Sequence, residues 1–147
     1  MTVANANPLH ATGVMIGGRV LLLVGAPGRG KSDLALRLID RGALLLSDDY
    51  THLTARDGAL YASPPATIAG QIEIRGVGIV DIAFAGEGPV ALVLDLDNPP
   101  ERLPDEPLAM AEYCGVAIPT LPIAALEASA PIKAELALLR YGLRGAS

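Results

Sequence analysis

Gly25-Ala26-Pro27-Gly28-Arg29-Gly30-Lys31-Ser32 is a complete G-x-x-x-x-G-K-S loop. It follows the apolar run Val20-Leu21-Leu22-Leu23-Val24 and precedes a segment, 33–40, with helical spacing. That context carries more than the letters. A strand that delivers a glycine-rich turn to a helix N-terminus aims backbone N–H groups at one point, and the helix dipole favours an anion there. In this pattern the lysine adds a mobile positive charge for the β- and γ-phosphates, and the serine hydroxyl can hold a magnesium ion. Lysine is scarce in this chain: Lys31 and Lys133 are its only two, and one occupies the position the loop demands. The stretch therefore predicts a nucleotide-phosphate site with Gly25, Ala26, Pro27, Gly28, Arg29, Gly30, Lys31 and Ser32 as its cradle.

Working outward, the apolar runs 14–16 and 19–24 flank Gly17-Gly18, a hairpin signature. Beyond the loop, Leu34, Leu38 and Ile39 fall at i, i+4 and i+5 and give a buried helix face, while Asp33, Arg37, Asp40 and Arg41 stay polar. Gly42 reads as the C-cap. Residues 43–46 form a short buried strand ending in Ser47-Asp48-Asp49. A second hairpin joins 51–53 to 59–62 around Arg56-Asp57-Gly58. Residues 68–74 and 79–83 are strand-like runs interrupted by Gly76-Val77-Gly78, and 90–96 is the clearest strand of the second half. Residues 98–107 hold four prolines and read as a loop; 118–123, broken by Pro119 and Pro122, read as an edge or extended segment. Residues 124–139 read as mostly helical, with Pro131 in the first turn of the last helix. The order β-α-β-β-β-β-β-α concentrates strands in the middle. A doubly wound fold alternates strand and helix throughout. The spacing thus predicts an α/β fold: one P-loop domain, 1–147, with a mixed β-sheet and flanking helices.

A chain of 147 residues suits one domain with a real core. Hydrophobic residues make up 51% of it and aromatics 3%, so that core is built from Leu, Ile, Val and Ala. Mean hydropathy is +0.41, yet no apolar run approaches the roughly 20 residues of a spanning helix, which argues against a membrane role. Residues 1–8 lack the basic region and long apolar stretch of a signal peptide. The single cysteine, Cys114, makes neither an internal disulfide nor a zinc cluster; it fits a reducing cytoplasm and reads as a small core residue. The net charge is −5 and no basic run is present, so nucleic acid is an improbable partner.

A phosphate loop positions a nucleotide without choosing the acceptor. A kinase also needs a carboxylate to take the proton of the attacking hydroxyl, and a means of holding magnesium. Asp48-Asp49, at the end of an apolar strand, are the first candidates, since strand ends beside such a loop are where ligands bind. Two adjacent acids near one phosphate can differ in environment, one as metal ligand and the other as base. Asp95, ending the run Val90-Ala91-Leu92-Val93-Leu94, competes with Asp48 for the Walker B role. Glu73, in Glu73-Ile74-Arg75-Gly76-Val77-Gly78, is the third, its glycines suggesting close backbone approach to a ligand. His10, one of two histidines, lies just before the first hairpin and within reach of the phosphates if the chain folds back.

Read together, His10-Ala11-Thr12-Gly13, the loop with Asp33-Leu34-Ala35-Leu36, Arg41-Gly42, Leu46-Ser47-Asp48-Asp49 and Gln71-Ile72-Glu73-Ile74-Arg75-Gly76-Val77-Gly78-Ile79-Val80-Asp81 resemble one family, the HPr kinase/phosphorylases, in their catalytic domain. The match is dense from His10 to about Ala83. The resemblance implies a bacterial serine kinase acting on a small phosphocarrier protein of the sugar phosphotransferase system, or its nitrogen-related homologue, with a core like the nucleotide-binding part of phosphoenolpyruvate carboxykinase. It implies that Gly25 to Ser32 bind the phosphates of ATP and that Ser32 and Glu73 bind Mg2+ with Asp48 in support. Asp49 would be the base, His10 and Lys31 would belong to the active site, and Asp95 becomes a strand-end residue. Arg102, in Glu101-Arg102-Leu103, loosely matches a further catalytic arginine. The family also implies a homo-oligomer, a hexamer. Two departures stand out: the chain starts almost at the catalytic domain, as a short form, and Pro122-Ile123-Ala124-Ala125-Leu126 replaces an arginine- and glycine-rich loop tied to dephosphorylation.

The leading expectation is therefore a cytoplasmic Mg-ATP-dependent serine kinase of an HPr-like carrier, with phosphorylase activity in doubt. Two rivals keep the same loop: a small-molecule kinase, and an ATP-sensing module without phosphotransfer.

Overall fold

The apolar run behind the loop becomes β2 (Arg19–Val24), which pairs antiparallel with β1 (Ala11–Ile16) in the hairpin that Gly17-Gly18 predicts. The computed structural model describes residues 7–144; residues 1–6 of the stretch read as lacking a signal peptide, and the last three of the chain, lie outside it. The loop then enters α1 (Lys31–Asp40), whose Leu34, Ala35 and Leu38 are buried. Arg41 occupies the C-cap, with Gly42 (φ 112) one position later. There follow β3 (Leu44–Ser47), the hairpin β4 (His52–Arg56) and β5 (Ala59–Ser63), and the hairpin β6 (Gln71–Ile74) and β7 (Gly78–Asp81). The remaining elements are β8 (Gly88–Asp95), β9 (Met110–Tyr113), β10 (Val116–Pro122) and α2 (Ala130–Tyr141).

The main sheet runs β3-β1-β2-β8-β10-β9, with β4 and β5 joined to it through β8. β2, β8 and β10 are parallel, while β1 is antiparallel to both β2 and β3, and β9 to β10. The sheet is therefore mixed, as the spacing predicts. Both faces are covered. Leu21 and Leu23 of β2 meet Leu34, Leu38, Ala134 and Leu138 of the two helices. Val20 and Leu22 face Leu53, Leu60, Tyr113 and Ile118 on the opposite side. Burial on both faces is why β2 and β8 read as continuous apolar runs rather than alternating ones.

Three readings need correction. The segment 118–123 is extended, the second of the two alternatives, but no edge: β10 lies between β8 and β9. Its two prolines are tolerated because the strand changes partners midway. Residues 116–119 pair with β9 and 120–122 with β8, so Pro119 and Pro122 each take the last position of a ladder. Its antiparallel partner β9, which follows the proline-rich loop, shows no sequence signal of its own. The helix expected over 124–139 starts only at Ala130, although Pro131 does sit in its first turn. Cys114 is exposed in the tight β9–β10 turn (φ 51) rather than in the core.

Strand direction fixes where chemistry can gather. β3 runs the same way as β2, so its carboxyl end, Ser47-Asp48-Asp49, reaches the edge from which the glycine loop leaves β2. β1 runs the other way and brings its amino end there: Ala11 stands opposite Val24, and Gly13 opposite Ser47. Ligands bind at such carboxyl edges in open α/β sheets.

Candidate active site

Gly28 (φ 84) and Gly30 (φ 92) adopt left-handed backbone that a side chain would strain. Gly30 is the N-cap of α1 and offers no side-chain cap, so the first-turn N–H groups have no side-chain acceptor there, and the residues of that turn, Lys31, Ser32 and Asp33, line the cleft. The Lys31 side chain is largely buried and folds back on the loop, donating from Nζ to Gly25 O at 2.6 Å and Ala26 O at 3.3 Å. The loop's base is held from the β8–β9 connection: Asp97 Oδ1 accepts from Ala26 N at 2.9 Å and pairs with Arg29 Nε at 3.2 Å.

The two acids at the end of β3 diverge. Asp48 is 7% exposed. Its Oδ1 accepts from Ser32 Oγ at 2.6 Å and Thr12 Oγ1 at 3.3 Å, and its Oδ2 from Glu73 N at 3.0 Å. Asp49, in left-handed backbone (φ 69), stands on the cleft wall with its carboxylate open to solvent; its side chain is 55% exposed and accepts from His10 Nε2 at 2.7 Å. The His10 ring lies against Tyr50, with centroids 5.2 Å apart.

A cleft of about 560 Å³ joins these groups. Pro27, Gly28, Gly30, Lys31 and Ser32 of the loop line it, with Asp48, Asp49 and Glu73 opposite. Asp33, Arg75 and Leu126 complete its charged and apolar rim. Four carboxylates and two cations line the space, so its side chains carry a net negative charge and the attraction it can offer an anion comes chiefly from the loop amides. The donor set fits magnesium. Ser32 Oγ and Asp48 Oδ1 are hard oxygens already in contact, and that ion characteristically takes one or two protein oxygens while keeping water and phosphate ligands. Among the described residues no three His, Cys, Asp or Glu side chains form a metal cage.

Most of the residues singled out in the sequence thus converge: Gly25 to Ser32, Asp48, Asp49, Glu73 and His10. Arg102 does not. It is exposed in the proline-rich β8–β9 loop and forms no part of the cleft wall. Asp95 is a strand-end residue, accepting from Asp97 N at 2.8 Å and Asn98 Nδ2 at 2.6 Å. Thr12, Asp97 and Leu126 were not singled out. Thr12 alone has a readable signal, its place two residues from His10 in the motif His10-Ala11-Thr12-Gly13.

A family model described as the HPr serine kinase C-terminal domain matches residues 1–128. The chain belongs to the HPr kinase family. An HPr kinase/phosphorylase of Clostridium botulinum is 42% identical over 74 residues, 50% of this chain and 24% of that protein. Another, from Lactobacillus acidophilus, is 32% identical over 133 residues, 82% of this chain and 41% of that protein. The chain thus spans between a quarter and two fifths of the length of these curated relatives. The solved structure of the Hpr(Ser) kinase/phosphatase from Coxiella burnetii is similar with a TM-score of 0.76 and 29% identity, covering 88% of this chain and 92% of that one. No helix among the described residues is long and apolar enough to cross a membrane.

Proposed function

We propose that the chain is a Mg-ATP-dependent kinase that phosphorylates a serine of an HPr-like phosphocarrier protein. One observation carries the reading: the acids ending β3 meet the glycine loop across one cleft, Asp48 by a 2.6 Å contact to Ser32 and Asp49 beside it on the cleft wall. The N–H groups of the loop and Lys31 bind the phosphates of ATP. Ser32, Asp48 and Glu73 hold the magnesium, which when bound neutralises phosphate charge. Asp49, oriented by His10, accepts the proton of the substrate serine as its oxygen bonds to the γ-phosphorus and the bond to the β-phosphate oxygen breaks, releasing ADP. Positioning and charge neutralisation supply most of the acceleration. The family resemblance supports a cytoplasmic homo-oligomer.

The reverse activity is proposed to be absent. The segment 122–126 does reach the site, but what it brings is the exposed Leu126 beside Gly30, with no cation to hold inorganic phosphate against a phosphoserine.

The test is transfer from labelled ATP to HPr, to its nitrogen-related homologue and to a panel of metabolites, with and without EDTA. Label on a carrier serine, lost on chelation, is expected. Label on a metabolite instead would replace this reading with a small-molecule kinase, and tight ATP binding with no labelled acceptor would replace it with a nucleotide sensor. Release of phosphate from the phosphorylated carrier at rates comparable to the forward reaction would overturn the assignment of a one-way enzyme.

A further inference from the structure

Thr12 is the only hydroxyl in β1 before Gly13 and is fully buried. A buried hydroxyl persists where its bonds are satisfied, and this one is satisfied twice. It donates to Asp48 Oδ1 at 3.3 Å and accepts from the Asp49 N–H at 3.0 Å. A hydroxyl carries one proton and two lone pairs, so it can do both at once, which neither valine nor a carboxylate can. The register of β1 and β3 shifts between Gly13 and Val14, and this irregularity sets Ser47, the end of β3, opposite Gly13, so that the acids just after it come within reach of Thr12.

From this geometry we infer that Thr12 is a positioning residue for the two acids, holding Asp49 in the backbone conformation that aims its carboxylate at the cleft. The inference rests on the kinase reading above and deepens it. Asp49 has φ 69, a conformation unfavourable for most residues. Its part-buried amide would lose its one hydrogen-bond acceptor without the threonine oxygen. On the far side of the turn, Leu9 and Thr51 exchange backbone hydrogen bonds at 2.8 and 2.9 Å, and Thr51 Oγ1 bonds Ala11 O at 2.9 Å. The segment that carries Asp49 is therefore pinned to the β1 end on both sides of His10. The Thr12 contact fixes the acid, and the Leu9 contact fixes the histidine that meets it. Asp48 depends on Thr12 far less, because its contacts to Ser32 and Glu73 are shorter and remain without it.

The division of labour gives a kinetic signature. In Thr12→Val, shape is kept and the hydroxyl lost; kcat is expected to fall about 10–100-fold while KM for Mg-ATP stays within about threefold, since a misplaced base slows the step without emptying the phosphate site. Thr12→Ser should return kcat to within about threefold of the parent, as it restores both hydrogen bonds. In an Asp49→Asn background, Thr12→Val should lower kcat by less than about twofold more, because both changes act through one carboxylate. Thr12→Ala is expected to repeat the valine pattern and serves if valine melts early. The Asp49 amide, followed by hydrogen exchange in NMR, should exchange more than about tenfold faster in Thr12→Val and not in Thr12→Ser. Full activity in the valine variant, a full multiplicative loss on top of Asp49→Asn, or unchanged amide exchange would each overturn the assignment. If the parent chain labels no acceptor, the kinase reading fails, and the exchange measurement still decides whether Thr12 holds Asp49.

Discussion

Replacing Asp48 and replacing Asp49 should produce opposite phenotypes, although the residues are adjacent. Asp48→Ala removes an acceptor from Ser32 Oγ at 2.6 Å, Glu73 N at 3.0 Å and Thr12 Oγ1 at 3.3 Å. A hydrogen bond to a charged group contributes about 1.5–3 kcal/mol net, so the two shorter contacts amount to roughly 3–6 kcal/mol. Ser32 and Glu73 stand at the cleft and regain water in the variant, which returns about half and leaves a loss of roughly 1.5–3 kcal/mol. In a chain of this size each kcal/mol lowers Tm by about 2–4 °C, so Asp48→Ala should melt about 3–12 °C early. Asp49 supports nothing comparable: its side chain is 55% exposed and its one side-chain partner, His10, is itself at the surface. Asparagine tolerates left-handed backbone, so Asp49→Asn should keep Tm within about 2 °C. Without the proton acceptor, kcat should fall about 10²–10⁴-fold while nucleotide affinity changes little. Thermal melts by circular dichroism, titration with a fluorescent ATP analogue and phosphotransfer to HPr read the three quantities. Turnover within tenfold of the parent in Asp49→Asn, or an unchanged Tm in Asp48→Ala, would refute this partition of roles.

Burial, and secondarily the Asp95 carboxylate, raise the Tyr113 phenol above its ordinary range. Below about pH 10 both folded and unfolded chains carry it neutral; above that the unfolded chain ionises first, so stability falls with rising pH, and Tyr113→Phe should flatten the alkaline limb of a Tm–pH curve. Gly28→Ala tests backbone strain alone, because a Cβ there meets nothing within 4 Å yet φ is +84°. It should lose about 1–2 kcal/mol in urea unfolding. Gly86→Ala, also in open space and with no positive φ, should change stability by less than about 0.5 kcal/mol.

Sequence reading succeeded where local chemistry decides structure. Gly17-Gly18 and Asp57-Gly58 carry the positive φ values that their turns demand, so two hairpins were legible. The glycine loop, the helix after it and the acid pair at the end of β3 follow from spacing alone. It failed where partners are remote. Nothing near Pro119 and Pro122 reveals that β10 pairs on one side and then on the other, and β9 exists only because β10 offers it a ladder. Leu126 reaches the cleft because β10 lies beside β8, a neighbour relation no local pattern states. Arg102 was carried over by resemblance through a stretch with loose correspondence, and the irregular proline-rich loop leaves it exposed.

The antiparallel β1 is what makes this site possible. A sheet of parallel strands offers only carboxyl ends at its ligand edge, and each neighbouring strand must return through a crossover of a dozen or more residues. Here the Gly17-Gly18 turn returns the chain at once. Ala11 therefore stands opposite Val24, and the residue before it, His10, sits beside the start of the glycine loop. The same reversal lets β3 pair with β1 on its other side and deliver Asp48 and Asp49 to that edge. Ser32 comes from α1, His10 and Thr12 from the start of β1 and the acids from the end of β3, so three segments meet within hydrogen-bond reach with no long loop between them. Rigid elements hold such groups more closely than loops do. The departure from the alternating pattern is therefore the means by which an amino end, with its histidine and threonine, comes to face two carboxyl ends across one cleft.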